Sequence, residues 1–291
     1  MISPRHAAAR RSRKSFVAFT VTRAEQGQPL QMFLAERLKE SKRQAKDRID
    51  ARAVFVNRQC IWMARHVLQG GDAVEVQMEA AAPDRPRVLR VLAESEHYLF
   101  VDKPYGMLTI GPGSLETLLR EQLKQPALRC VHRLDRDTSG CLLVARTATA
   151  FERAVAVFKT RRVKKLYDVL VVGRLVQPVS TIDTPLDGQP ARTHVRRLTA
   201  NEDVTFARVR IETGRTHQIR LHLASVRHPV VGDRLHGLKL TRDPRLMRVP
   251  RQMLHATELE LDDPMGSGRL HAHSPLPADF RRCLQMFGLG K

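Results

Sequence analysis

The chain has 291 residues, 42% of them hydrophobic, which is enough for one large or two unequal folded domains. No apolar run approaches the roughly 20 residues of a membrane-spanning helix, so the sequence excludes an integral membrane helix and indicates a soluble protein. The 50 Lys and Arg exceed the 30 Asp and Glu, giving a formal charge of +20. This excess favours a polyanionic partner, with nucleic acid first and a generally basic surface as the alternative.

The four cysteines, Cys60, Cys130, Cys141 and Cys283, stand far apart in the sequence. They form no CxxC pair, so neither a zinc ribbon nor a disulfide framework is indicated. Unpaired cysteines are typical of a reducing compartment, and we expect a cytoplasmic protein.

Residues 1–24 are rich in Arg, contain no acidic residue and lack the apolar core of a secretory signal. This composition predicts a disordered basic arm that follows phosphates, with an organelle transit peptide as the alternative.

Residues 25–78 have the pattern of a small compact module. Leu30, Phe33 and Leu34 fall at helical spacing, and two short β-type runs follow at 53–56 and 73–76. A second predicted helix carries a basic face, whose candidate RNA-binding residues are Lys42, Arg43 and Lys46.

Several short motifs of this module resemble the RNA-binding module named after the S-four protein of the small ribosomal subunit: Leu30-x-x-Phe33-Leu34, Ser41-Lys42-Arg43, Val54-Phe55-Val56-Asn57 and Gly71-Asp72-x-Val74. The pattern departs at Arg58, where that family usually has Gly. A helical cap on the larger domain is the alternative. Residues 79–87 predict a linker because Ala and Pro replace any apolar period.

Residues 88–291 read as a second domain of the α+β class, because strands and helices alternate without regular βαβ units. The predicted strands are 98–101, 141–145, 165–172, 206–211 and 257–261. Two helices are predicted to begin after Ser114 and Thr147, and two more are predicted over 216–225 and 277–287.

The segment His132-Arg133-Leu134-Asp135-Arg136-Asp137-Thr138-Ser139-Gly140 places carboxylates in a short polar stretch between apolar runs. Further on, Thr213-Gly214-Arg215-Thr216-His217-Gln218-Ile219-Arg220 offers a guanidinium that can hold such a carboxylate ionised. From the residues alone, a structural ion pair is a more frequent explanation of such an Asp and Arg than a reactive site.

Lys165 and Tyr167 share one face of a predicted strand. An aromatic ring beside a cation suits stacking on an extruded base, although most half-buried tyrosines only pack. The turn at 110–114 lacks the Lys of a P-loop, and His255, His271 and His273 lack a further ligand at metal-binding spacing. We therefore expect no metal site.

The long motifs occur together and in order: Asp102-Lys103-Pro104-x-Gly106, His132-Arg133-Leu134-Asp135-x-x-Thr138-Ser139-Gly140, Lys165-x-Tyr167, Pro190-Ala191-x-Thr193, Thr213-Gly214-Arg215-Thr216-His217-Gln218-Ile219-Arg220-x-His222-Leu223, His228-Pro229-x-Val231-Gly232-Asp233 and Leu254-His255-Ala256. Over residues 88–287 the chain resembles pseudouridine synthases of the RluA type.

The resemblance implies an α+β fold with a mixed, largely antiparallel central sheet and an RNA-binding cleft. It also implies that Asp135 is the catalytic aspartate, that Arg215 is its ion-pair partner and that Tyr167 packs against the target base. No cofactor is expected, because the reaction has no redox step. The candidate RNA contacts near the site are His132, Arg133, Arg136, Lys165, His217, Gln218 and Arg220, with Arg161, Arg162 and Lys164 as further phosphate contacts. His132 either steadies the loop or touches RNA.

The function that follows is isomerisation of uridine to pseudouridine in structured RNA by a monomer. Large-subunit ribosomal RNA is the first expected substrate and transfer RNA the second. A non-catalytic RNA-binding or ribosome-assembly protein on the same scaffold is the competing hypothesis, and a ribonuclease is the third. Two stretches depart from the family: Arg234-Leu235-His236-Gly237, where many members have an aromatic residue, and Asp262-Asp263-Pro264, which replaces the usual aromatic-His-Pro.

Overall fold

The computed structural model describes residues 16–50, 53–57, 59–61, 63–78, 88–160, 162–237 and 243–290. The chain divides into two compact units, Met1–Asp84 and Arg85–Lys291. The predicted linker at 79–87, and residues 1–15 of the predicted arm, lie outside the described residues. Within the described part, no helix is long and apolar enough to cross a membrane.

The N-terminal unit is a four-stranded antiparallel sheet with two helices. The sheet has the order β1-β4-β2-β3 and consists of β1 Phe16–Thr20, β2 Val54–Val56, β3 Gln59–Cys60 and β4 Ala73–Gln77. The helices are α1 Leu30–Arg37 and α2 Lys42–Asp50, and a 3-10 turn precedes them at Arg23–Glu25. Apolar residues of both helices, among them Phe33 and Ile49, pack with Val54 and Val74 in one core.

Strand β1 corrects the prediction of a disordered arm over 1–24. Phe16–Thr20 pairs in register with Ala73–Gln77, from Phe16 opposite Gln77 to Thr20 opposite Ala73. Its residues alternate between exposed and partly buried, and Phe19 packs against the core of this unit. The alternation of a half-buried strand therefore outweighs the basic composition of the stretch before it.

The C-terminal unit is built on a ten-stranded sheet. Its main path runs β10-β11-β12-β9-β13-β8-β6-β5, while β14 pairs with β13 and β7 pairs with β8. The strands are β5 Arg90–Glu94, β6 Tyr98–Lys103, β7 Arg129–Cys130, β8 Ser139–Ala145, β9 Lys164–Val172, β10 Val179–Ile182, β11 Thr193–Ala200, β12 Val204–Ile211, β13 Leu254–Asp262 and β14 Arg269–His273.

Five helices accompany this sheet: α3 Leu115–Leu123, α4 Ala148–Lys159, α5 Gln218–Ser225, α6 Pro244–Arg248 and α7 Ala278–Met286. Ser114 and Thr147 cap α3 and α4 through hydrogen bonds to Thr117 and Ala150, as their positions predict. The pairing is antiparallel throughout the described strands except between β13 and β8. The predicted α+β class with a mixed, largely antiparallel sheet is confirmed.

Several element boundaries differ from the prediction. Strand β13 begins at Leu254 rather than Thr257, and α5 begins at Gln218 rather than Thr216 because His217 adopts a left-handed backbone with φ of 54°. The sequence pattern missed β5, β10 and β11, which carry mixed polar residues and partly exposed faces. Short, polar strands near a sheet edge have little hydrophobic alternation to reveal them.

Gly140 makes the parallel contact between β8 and β13 possible. Its φ is +113°, and a Cβ at this position would lie only 2.2 Å from the carbonyl oxygen of Ala256. Only glycine permits this backbone and this approach. The contact sets the loop that carries Asp135, just before β8, beside the start of β13 at Leu254.

Candidate active site

The predicted catalytic segments meet at one open cleft, called here the site cavity. It is formed by the loop before β8, by the strands β9, β12 and β13, and by the segment that leads into α5 together with the first turn of that helix. Its lining residues are Arg133, Leu134, Asp135, Thr138, Tyr167, Ile211, Gly214, Arg215, Thr216, His217, Gln218, Ile219, Arg220 and Leu254.

Asp135 presents its carboxylate to this cavity and forms an ion pair with Arg220. The Arg220 Nη1 lies 2.9 Å from Asp135 Oδ2, and the Asp135 side chain keeps 22% of its surface exposed while that of Arg220 keeps 7%. The amide of Gln252 approaches the same oxygen at 3.5 Å. A partly accessible carboxylate held by a buried cation can react with a bound ligand without leaving its partner.

Arg220 is itself fixed by a second carboxylate. Its Nε and Nη2 donate to Asp233 Oδ2 and Oδ1 at 2.7 and 2.8 Å, which is a bidentate pair. Burial alone would lower the pKa of Arg220, but its hydrogen bonds to Asp233 and Asp135 outweigh burial and raise it. Burial would likewise raise the pKa of Asp233, yet the Arg220 guanidinium holds it below its usual value. Both groups are therefore charged, and the guanidinium bridges two carboxylates.

The prediction that Arg215 pairs with Asp135 is wrong, because the partner of Asp135 is Arg220, which was expected only as an RNA contact. Arg215 lines the cavity, but its Nε donates to the carbonyl oxygen of Pro190 at 3.3 Å. Its backbone N–H is bonded to Gln218 Oε1, which holds Arg215 in the turn before α5. Arg220 lies inside the helix, where it is buried and reaches Asp135.

Tyr167 forms the part of the cavity wall contributed by β9. It stands opposite Val209 of β12 and Ala256 of β13, and it is 8% exposed. Burial raises its pKa, and the nearby negative charge of Asp135 adds to that rise. The phenol is therefore neutral at physiological pH, which suits an aromatic surface for a base rather than a proton acceptor.

Lys103 holds the loop that carries Asp135. Its fully buried ammonium donates to the carbonyl oxygens of Pro104, Asp135, Arg136 and Thr138 at 2.8 to 3.1 Å. Burial lowers the pKa of Lys103 to about 7. The Asp102-Lys103-Pro104 motif contained this residue, but its bracing role depends on carbonyl groups about thirty residues away in sequence and could not be read from the motif.

Arg251 braces the other end of the same loop. Its fully buried guanidinium pairs with Asp279 at 2.7 Å and donates to the Asp137 carbonyl at 3.0 Å and to Ser139 Oγ at 3.1 Å. It also lies 4.7 Å from the ring centre of Tyr105. A charge with so many partners at the base of a reactive loop fixes that loop in one geometry. This role could not be predicted from the sequence, because Arg251 stands outside the motifs.

Two imidazoles lie beside Asp135. His217 Nδ1 and His236 Nε2 are 2.9 Å apart, and His217 Nε2 is 3.9 Å from Asp135 Oδ1. Burial lowers the pKa of both histidines. His236 stands in one of the stretches where the chain departs from the family pattern, so a hydrogen-bonding ring there supports His217.

In the described part of the chain, no group of three His, Cys, Asp or Glu side chains is arranged to hold a metal ion. His255 is bonded to Ser139 Oγ at 2.9 Å and to the carbonyl oxygen of Ser274 at 3.1 Å, so both ring nitrogens serve the fold.

The comparisons with known proteins agree with this geometry. Residues 97–225 match the family described as RNA pseudouridylate synthase. Relatives in several bacteria are named ribosomal large subunit pseudouridine synthase D. The protein of Nitrosomonas europaea is 39% identical over 68% of this chain and 64% of its own length. That of Xanthomonas campestris pv. campestris is 37% identical over 76% and 77%, and that of Escherichia coli (strain K12) 31% over 92% and 93%. The chain belongs to the RNA pseudouridylate synthase family.

The predicted RluA type is confirmed, and this pseudouridine synthase is an isomerase that acts on RNA. Among solved structures, Human RNA Pseudouridylate Synthase Domain Containing 1 superposes with a TM-score of 0.58 at 28% identity, over 68% of this chain and 88% of that one. Human RNA Pseudouridylate Synthase Domain Containing 4 gives 0.59 at 23% identity over 67% and 92%, which shows the shared fold.

Two residues expected to contact RNA in this pseudouridine synthase serve the scaffold. Gln218 is 3% exposed and uses its amide to bind the carbonyl of Arg192 and the hydroxyls of Thr193 and Thr213. His132 accepts the N–H of Leu143 at 3.1 Å, which favours the role of steadying the loop. Because polar atoms of both side chains are bonded within the protein, the structure favours a scaffold role for both, and RNA contact by either stays a prediction.

The remaining candidates in this pseudouridine synthase differ in surroundings. Arg133 is exposed and lines the cavity, whereas Arg136 lies beside it and donates to the Gly106 carbonyl at 3.2 Å. Arg162 is exposed, and Lys164 is paired with Glu258 and Glu260. Arg161 lies outside the described residues. In the N-terminal unit, Lys42, Arg43 and Lys46 are exposed on α2.

Proposed function

We propose that this protein converts uridine to pseudouridine in large-subunit ribosomal RNA, with Asp135 as the reacting group. The observation that carries the proposal is the ion pair between Asp135 and Arg220 at a cavity walled by Tyr167. The ribosomal substrate is supported by the names of the relatives, which are ribosomal large subunit pseudouridine synthase D proteins.

The reaction rearranges atoms already present in uridine. The bond between C1′ of the ribose and N1 of uracil breaks, the ring turns, and C1′ joins C5. A proton leaves C5 and one joins N1, so no oxidant or reductant is needed. Asp135 acts as nucleophile at C1′ or as base toward the ribose, and both roles require a carboxylate that the substrate can reach.

Arg220 keeps the reacting oxygen in position during these steps. Because Asp233 grips the opposite edge of the guanidinium, Arg220 cannot swing away when charge on Asp135 changes. A preorganised charge of this kind stabilises a developing or returning anion without reorganisation.

Tyr167 supplies the surface for the target base. A uridine must leave its stack to reach Asp135, at a cost of a few kcal/mol that contacts in the cavity must offset. Base stacking on an aromatic side chain is worth about 1–3 kcal/mol. The neutral, rigidly held ring of Tyr167 is suited to this role.

We further propose that the enzyme is a cytoplasmic monomer whose N-terminal unit is an S-four-type RNA-binding module. The basic residues Lys42, Arg43 and Lys46 on the exposed side of α2 support this, since their charges suit phosphate contacts. Arg133, Arg136 and His217 are the proposed RNA contacts at the cavity.

Tritium release tests the activity and the substrate together. RNA labelled at C5 of uridine loses tritium only if C5 is attacked, so the full-length protein should release label from ribosomal RNA. Asp135→Asn should release none while its RNA affinity stays within about twofold, because Asn keeps the shape of the side chain but not its charge.

The alternatives predict other results. Tritium release from transfer RNA only would make transfer RNA the substrate instead of ribosomal RNA. No tritium release from any RNA fraction would favour a non-catalytic RNA-binding protein. Shortened RNA on a denaturing gel would indicate a ribonuclease. Mapping pseudouridine in cells with and without the gene identifies the position.

A further inference from the structure

Lys165 is a nearly buried lysine with no anion beside it among the residues that the structure describes. The residue is 8% exposed, and within that part of the chain its ammonium group forms neither a salt bridge nor a hydrogen bond. Its Nζ is not among the fully buried unpaired atoms, so the ammonium tip still touches solvent. The aliphatic part of the Lys165 side chain is therefore buried, while its charged end is accessible and has no partner among the described residues.

The described residues around Lys165 place no negative charge beside its ammonium. The ammonium lies 5.8 Å from the ring centre of Phe158, and Phe158 stacks on His132 at 4.9 Å. His132 is itself a neutral ring, because burial, together with the nearby charge of Lys165, lowers its pKa to about 3. The neighbouring Lys164 is different, since Glu258 and Glu260 lie 2.7 and 3.1 Å from its Nζ.

The ammonium of Lys165 lies next to Gly214, which lines the site cavity. A methyl group built on Gly214 would meet its Nζ at 3.9 Å, and Gly214 is exposed and lines the cavity. Lys165 is two residues before Tyr167 on β9, so the two side chains leave the same face of the strand about 7 Å apart. That separation is comparable to the distance between the base and the phosphate of one nucleotide.

We propose that Lys165 binds the phosphate next to the uridine that stacks on Tyr167. This inference rests on the proposed function and adds an anchor for the nucleotide backbone. An unpaired buried charge is unfavourable unless a ligand completes it, and the only anion that RNA offers is its phosphodiester. A lysine suits this task because its ammonium is a compact point charge that a phosphate oxygen can approach from several directions.

Binding measurements test the proposal without turnover. In an Asp135→Asn background, affinity for a fluorescent RNA is measured from low to high salt. Adding Lys165→Met should weaken binding about tenfold at low salt and reduce the slope of log K against log salt by about one. Adding Lys124→Met is the control and should leave the slope unchanged, because Lys124 is an exposed lysine at the end of α3 and is not among the proposed RNA contacts.

Kinetics and RNA chemistry identify the phosphate. In the active enzyme, Lys165→Met should raise KM about tenfold with kcat within threefold, and Lys165→Arg should restore most of the affinity because it keeps the charge. Methylphosphonate linkages, which are neutral, are then placed singly on either side of the target uridine. One of them should weaken binding to the Lys165 protein about tenfold and have almost no further effect on Lys165→Met.

An unchanged salt slope in Lys165→Met would overturn the proposal. The proposal would also fail if each neutral linkage weakened binding to Lys165→Met as much as it weakens binding to the Lys165 protein. If Lys165→Met does not fold, Lys165→Gln is measured in the same way. A loss of thermal stability with unchanged RNA binding would make Lys165 a packing residue of Phe158. Failure of the proposed function is distinguishable, because it would appear as absent tritium release in the unsubstituted enzyme.

Discussion

The Nη1 of Arg220 lies 2.9 Å from Oδ2 of Asp135, while Nε and Nη2 of the same guanidinium grip Asp233 at 2.7 and 2.8 Å. One buried cation thus joins the accessible carboxylate to a carboxylate whose side chain is 1% exposed. The arrangement needs three nitrogens in one plane, which lysine does not have. The geometry of Asp135 therefore depends on a residue of α5 and on the Val-Gly-Asp turn that follows the helix.

Arg220→Lys should lower kcat/KM by about a hundredfold or more, because an ammonium cannot bind both carboxylates in the same geometry. Arg215→Lys is the matched control: it should change kcat/KM by less than about tenfold, mainly through KM, since Arg215 borders the cavity without contacting Asp135. Initial rates of tritium release measure both. A larger loss in Arg215→Lys than in Arg220→Lys would restore Arg215 as the partner.

Asp233→Asn should destabilise the protein by about 3 kcal/mol, because it leaves part of a buried guanidinium unpaired. Activity should fall as well, since Arg220 loses the group that orients it. Asp262→Asn is the control, because Asp262 is 69% exposed and 3.7 Å from Arg269, and its effect should stay within about 0.5 kcal/mol. Urea unfolding compares the two variants. Equal stabilities would show that Asp233 is not needed to hold Arg220.

The sequence motif does not show that Arg220 rather than Arg215 pairs with Asp135. Both arginines belong to one motif, and both have the charge that the chemistry requires. Only the start of α5 at Gln218, set by the left-handed backbone of His217, decides which of them reaches Asp135. The motif identified the segment and the partner type, while the choice of residue needed the helix boundary.

Similar physical causes decide which other strands and residue roles could be predicted from the sequence. Apolar strands such as β6 and β8 were predictable because both faces are buried and the run is continuous. The bracing roles of Lys103 and Arg251 were not predictable, because both residues bind backbone carbonyl groups that any sequence could supply. Tyr167 and Asp135 were brought together by pairing between β9, β13 and β8, which no local pattern encodes.

Lys103→Met should abolish most of the activity without removing RNA binding. The substitution leaves four carbonyl oxygens near Asp135 without their donor, so the loop loses its fixed geometry. We expect kcat to fall at least about a hundredfold and the melting temperature to drop. Lys103→Arg should fail too, since the fully buried space has no room for a guanidinium. Lys124→Met, at the exposed end of α3, is the control for a general loss of charge. Near-normal kcat in Lys103→Met would show that the loop keeps its geometry without the Lys103 ammonium.

His132 should make the stability of the protein decline as the pH falls. Burial lowers its pKa from the usual 6.5 to about 3. Between these pH values the unfolded chain binds a proton at His132 that the folded chain does not bind. The stability that the neutral ring contributes is complete above pH 6.5 and is lost progressively as the pH falls from 6.5 toward 3. At the steepest point one proton changes the free energy of unfolding by about 1.4 kcal/mol per pH unit.

His132→Gln isolates this contribution. Glutamine can still accept the N–H of Leu143 but does not titrate, so the slope of unfolding free energy against pH between 5 and 6.5 should be smaller than in the unsubstituted protein. The comparison is made between the two proteins because His217, His236 and His255 also have lowered pKa values and add their own slopes to both. Urea unfolding at half-unit pH steps measures the difference. Parallel curves would mean that His132 takes up its proton in the folded protein as readily as in the unfolded chain.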